Sequence, residues 1–113
     1  MNKVITKEEL LHKILPAFLP CGYSINGSQE EIDAWYLGWF TIEAAGYIPL
    51  EINLDADGST IVFMWWNQDV DEMTQDEIIG YIKGVMKMLV PDMRFDRYPS
   101  ENGRMITFSF PED

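Results

Sequence analysis

Residues 47–66 constrain this chain more tightly than any other stretch. Residues 47–54 and 60–66 are rich in β-branched and aromatic side chains, and they flank Asp55-Ala56-Asp57-Gly58. Two β-rich runs around a short Asp/Gly turn predict an antiparallel hairpin. A second hairpin closes the chain, with residues 94–98 pairing with residues 105–110 across Pro99-Ser100-Glu101-Asn102-Gly103.

Helix starts carry a different signature. Thr6-x-x-Glu9, Ser28-x-x-Glu31 and Thr74-x-x-Glu77 are capping boxes, and each opens an apolar pattern of helical period. In such a box the hydroxyl accepts from the third helical amide while the Glu reaches back to the cap amide. The first helix places Leu10, Leu11, Ile14, Leu15 and Phe18 on one face, and Pro16 should kink or end it. The second runs from about Ser28 toward Ala45, with Ile32, Trp35, Tyr36, Trp39 and Phe40 as a stripe and Leu37 and Ile42 opposite. Its aromatic end, residues 36–42, could instead form an extra strand. The third runs from Thr74 to about Leu89 and buries Ile78, Ile79, Ile82, Val85, Met86 and Leu89. The expected order is ααββαββ, one α+β domain over residues 1–113, its antiparallel sheet carrying the helices on one face.

Charge is distributed unevenly. Of 19 acidic and 8 basic residues, no Lys or Arg lies between Lys13 and Lys83. Residues 14–82 hold twelve acids and carry −12 within a chain of −11. A phosphate binder needs a basic stripe, which this stretch cannot supply, so direct nucleic-acid binding is not expected. No apolar run approaches the ~20 residues of a membrane span, and the first nine residues meet charges too soon for a signal peptide. A single cysteine, Cys21, fits a reducing cytoplasm.

Motifs for chemistry are sparse. His12 is the only histidine, so a His-pair metal site is excluded within one chain, and no cofactor is implied. Paired carboxylates such as Glu30/Glu31 and Asp76/Glu77 sit at predicted helix starts, where the helix dipole favours them. Gly80-x-x-x-Gly84 on a soluble amphipathic helix suggests close packing of helix on sheet. Trp65-Trp66 is sharper: neighbours in a strand point to opposite faces, so one indole enters the core and the other faces outward, either covered by the C-terminal hairpin or serving as a binding anchor.

The expected function is that of a small acidic protein-binding module, not an enzyme, that docks on a basic protein surface. It would inhibit a nucleic-acid-binding protein or nuclease by offering carboxylates in place of phosphates, as a DNA mimic does. Immunity proteins and phage-encoded inhibitors of host defence use this strategy; charge and size alone link them to this chain. The expected docking residues are Glu30, Glu31, Asp33, Asp55, Asp57, Asp69, Asp71, Glu72 and Asp76, with Trp66 among them. The alternative is a small enzyme or ligand-binding domain with a cleft lined by Trp35, Trp39 and Trp65, and the plain reading is that the charge only maintains solubility.

Asn53-x-Asp55-x-Asp57-Gly58 resembles half of a calcium loop, but position twelve is Met64 instead of a bidentate Glu, and position eight is Thr60. Titration calorimetry with millimolar calcium should therefore show no binding heat; a micromolar site would overturn the turn reading.

Overall fold

The computed structural model describes residues 3–19, 22–26, 35–42, 46–66, 72–99 and 103–111. The central hairpin forms where the residues place it. Strand β3 (Gly46–Leu54) pairs with β4 (Thr60–Trp66), Glu51 opposite Met64 and Leu54 opposite Ile61. Pairing stops at Glu51; Pro49, which has no amide hydrogen to donate, stands two residues beyond. In the turn, the Gly58 amide donates to the Asp55 carbonyl at 2.8 Å and the Asp55 amide to the Thr60 carbonyl at 2.9 Å. Gly58 adopts φ +76°, a region costly for residues with a Cβ. The N-terminal segment is strapped across it, the Ile5 amide donating to the Gly58 carbonyl at 2.7 Å. A Cβ at position 58 would meet the Ile5 carbonyl oxygen at 2.5 Å.

Strands β1 (Tyr23–Asn26) and β2 (Trp35–Ile42) extend the hairpin on one side, and β6 (Gly103–Ser109) and β5 (Arg94–Pro99) on the other. Among the described residues the sheet is antiparallel throughout, in the order β1-β2-β3-β4-β6-β5. The α+β class and antiparallel sheet match the expectation, and both predicted hairpins are present. The second predicted helix is resolved in favour of its alternative: its aromatic end is strand β2, paired with β3 from Trp35–Asn53 to Ile42–Gly46. Its Ser28 capping box lies outside the described residues.

Among the described residues, two helical segments cover the sheet. Segment α1 runs without a break through Lys7–Glu9, a wider π-helical turn at Leu10–Ile14, and Leu15–Phe18. The Thr6 box forms as expected, Thr6 Oγ1 accepting from the Glu9 amide at 3.1 Å. Pro16 neither ends the helix nor passes unnoticed. The missing proline amide and the bulk of its ring fall on the preceding turn, and that turn is the widened one. Helix α2 (Glu72–Leu89) begins two residues before the predicted start, so Thr74 is inside the helix and is not its N-cap. The sequence places Asp71, a stronger cap type than Thr, immediately before Glu72.

Both helices pack on the same face. Phe18 of α1 meets Phe63 at 5.0 Å, and Tyr81 of α2 meets Phe40 at 5.2 Å. Ile78, Ile79, Ile82 and Met86 join one buried cluster with Leu50, Ile52, Ile61, Trp65 and Ile106. The glycines of α2 do not take part, contrary to the expectation of close helix–sheet packing. A Cβ on Gly80 or Gly84 would meet nothing within 4 Å, because Ile78 and Ile82 fix the opposite face of the helix toward the core. Gly38 on β2 is the close-approach glycine instead: a Cβ there would meet the Gly22 carbonyl oxygen at 2.6 Å and Leu19 Cδ1 at 2.9 Å.

Replacing Gly58 by alanine should destabilise the fold by about 2 kcal/mol or more, through the left-handed backbone and the clash with Ile5. Chemical denaturation measures this directly. Gly80→Ala, in open space on a helix, should stabilise by up to about 1 kcal/mol. If the two substitutions behaved alike, the strap across the turn would be wrong.

Candidate functional site

Alternation along the strands divides the sheet into two faces. Tyr36, Phe40, Ile48, Leu50, Ile52, Leu54, Ile61, Phe63 and Trp65 are buried beneath the helices. The odd positions of β2 and β3 and the even positions of β4 form the other face, which neither helix covers. A one-sided antiparallel sheet normally makes this face polar. Here it is largely apolar and aromatic, with Thr41, Glu51, Asn53 and Thr60 as its polar positions. Trp35 is 36% exposed, Leu37 41%, Trp39 51%, Tyr47 67% and Trp66 40%.

The register fixes how these side chains meet. Leu37 lies opposite Glu51, which lies opposite Met64, which lies opposite Met105. Trp35 and Trp39 are two positions either side of Leu37 and so diagonal to Glu51, at the ~7–8 Å spacing that aromatic side chains span. Trp66 is two positions beyond Met64 on the same face. Strands β1 to β4 contain one charged residue, Glu51. Its carboxylate has no hydrogen bond or ion pair among the described residues. The nearest cation on this face by register is Arg94, on the far edge strand β5 beside Asp96.

Trp65-Trp66 divides as expected, Trp65 in the core and Trp66 outward. The cleft of Trp35, Trp39 and Trp65 does not form, because β2 is a strand and its odd positions face away from Trp65. Asp55 and Asp57 stand in the β3–β4 turn, while Asp76 is in the second turn of α2 and pairs with Arg97 at 3.4 Å. These two groups follow opposite ends of β4, a strand about 20 Å long, and are not brought together. Glu72 opens α2. Glu30, Glu31, Asp33, Asp69 and Asp71 lie outside the described residues. Trp35, Leu37, Trp39, Tyr47 and Glu51 were not singled out for docking; the signal for Trp35, Leu37 and Trp39 was the apolar character of both parities in residues 35–40, and Tyr47 and Glu51 carried none.

The clefts offer less. One, of about 520 Å³, opens at the turn end between Lys3, Asp57, Thr60, Arg94, Asp96 and Phe110. Among the described residues no group of three His, Cys, Asp or Glu side chains is placed to hold a metal ion. No helix among them is long and apolar enough to cross a membrane. No protein-family model, curated protein or solved structure matches this chain.

Asp57 is occupied locally. The Ser59 amide donates to its Oδ1 at 3.0 Å and the Ser59 hydroxyl at 2.8 Å. These bonds, the amide's first, hold its carboxyl below the usual carboxylate range. A lowered folded-state pKa contributes stability that is complete above the ordinary carboxylate pKa and is lost as pH falls through the lowered value. Asp57→Asn should therefore be less stable than wild type at neutral pH, with the gap closing in acid. Urea midpoints across an acid pH series measure it, and a gap that stays constant into strong acid would show that the charge of Asp57 contributes nothing.

Proposed function

We propose that this chain is a protein-binding module, without catalytic activity, whose docking surface is the open face of the sheet and whose partner is a basic protein. The observation that carries the reading is the exposed row of Trp35, Leu37 and Trp39, with Trp66 exposed on the same face of the sheet. Contiguous apolar patches on a soluble protein mark interaction sites, and tryptophan is the residue most enriched where binding energy concentrates. The chain's charge of −11, with no Lys or Arg in residues 14–82, supports a basic partner. Such a field speeds encounter and makes it sensitive to salt.

A nucleic-acid-binding protein, inhibited by occlusion of its basic surface, is the partner class that fits this charge. Occlusion by an apolar face is favoured over imitation of a phosphate array. Of the acids expected to dock, Asp55 and Asp57 lie beyond one end of β4 and Glu72 and Asp76 beyond the other, and Asp76 is engaged by Arg97.

The test is comparative capture from native lysate with wild type and with a variant carrying Trp39→Ser and Trp66→Ser. Both residues are exposed, so the variant should fold. The expected result is a basic protein held by wild type at low salt, released at high salt and not held by the variant. Capture indifferent to the two indoles, or a captured partner that is acidic at its contact surface, would sink the reading.

A further inference from the structure

The geometry points to a specific ligand for the centre of this face: an arginine side chain of the partner, received by Glu51 between Trp35 and Trp39. The inference rests on the docking face proposed above and names what that face recognises. Glu51 is the one charged residue of β1 to β4, and it lies opposite Leu37 with the two indoles on its diagonals. Met64 bounds it on the β4 side, with Trp66 two positions further along that strand on the same face. Binding any flat apolar partner here would strip water from this carboxylate without compensation, which is costly. A partner that brings a cation removes that cost. Arginine fits better than lysine. Its planar guanidinium can stack on indole faces while its N–H fork meets a carboxylate bidentately, and it sheds water more readily.

Other occupants leave the Glu51 carboxylate without a cation. A second copy of this chain, docked face to face, would bring no Lys or Arg from β1 to β4 and would bury two unpaired Glu51 carboxylates. A single-stranded nucleic acid could stack its bases on the indoles, but its phosphates would meet Glu51 and a chain of −11 with no cation on these four strands.

The experiment titrates three probes into the full chain at low salt: a capped peptide alternating arginine and glycine, the same peptide with citrulline for arginine, and a single-stranded DNA oligonucleotide. The readout is the indole N–H resonances, with buried Trp65 as internal control. The arginine peptide should shift Trp35, Trp39 and Trp66 and leave Trp65 unmoved, and citrulline should weaken binding about tenfold or more, citrulline being uncharged. Glu51→Gln should cost the arginine peptide a similar factor and leave the citrulline peptide unchanged. Equal binding of arginine and citrulline peptides, indifference to Glu51→Gln, or tighter binding of the oligonucleotide would each overturn the inference. So would no response to the arginine peptide, or self-association through these indoles. If the peptide responds to Trp39→Ser but not to Glu51→Gln, the arginine site fails while the docking face stands. If the indoles respond to no probe and the captured partner ignores them, both fail.

Discussion

Phe18 of α1 meets Phe63 of β4 edge to face at 5.0 Å, and Phe63 in turn meets Phe108 of β6 at 5.7 Å. Tyr81 of α2 reaches Phe40 of β2 at 5.2 Å. These contacts set both helices on one side of the sheet, and the rest of the structure follows from that. The crossover from β4 through α2 to β5 is a helix because a chain that leaves one strand and returns in the same direction must travel the length of the sheet, and a helix covers the apolar face as it does so. With both helices spent on that face, no helix among the described residues is left to cover the other. An apolar residue at an odd position of β2 is therefore exposed by topology rather than by its own preference.

Charge is arranged around this scaffold instead of through it. Asp55 and Asp57 stand in the hairpin turn, where a carboxylate accepts from free amides, as Asp57 does from Ser59, and Glu72 and Asp76 lie in the first turns of α2. The cations come from the two ends of the chain and are used at the periphery. Lys3 pairs with Asp92, Arg97 with Asp76, and the Lys83 ammonium sits 4.5 Å over the Phe95 ring. The first two are exposed pairs worth at most ~1 kcal/mol each. Glu51 is left as the lone charge of four strands, in the middle of the aromatic face.

Much of the fold was legible in local sequence. The hairpin around Asp55-Ala56-Asp57-Gly58, the closing hairpin and the Thr6 capping box all depend on residues a few positions apart, where chain entropy is small and side-chain chemistry decides. Residues 35–42 were not legible in this way. Trp35 and Trp39, like Tyr36 and Phe40, are four apart, which places each pair on one side of a helix and also on one side of a strand. A strand apolar on both faces has no period-2 contrast, so the segment reads as a helix apolar all round. The start of α2 was blurred for another reason: Asp71 and Thr74 are both cap types, and neither excludes the other at the level of sequence.

The sequence by itself determined the α+β class, the two hairpins, the acidity and the opposed directions of Trp65 and Trp66. Each follows from backbone sterics, side-chain alternation or a count of charges, and needs no knowledge of distant partners. Only the tertiary structure decided that residues 35–42 are a strand, that Gly80 and Gly84 face open space, and that Trp35 and Trp39 flank Glu51. The reason is that strand pairing is a non-local interaction. Which face of β2 is buried depends on its register with β3 and on which side of the sheet receives Phe18 and Tyr81, and that information is spread along the whole chain.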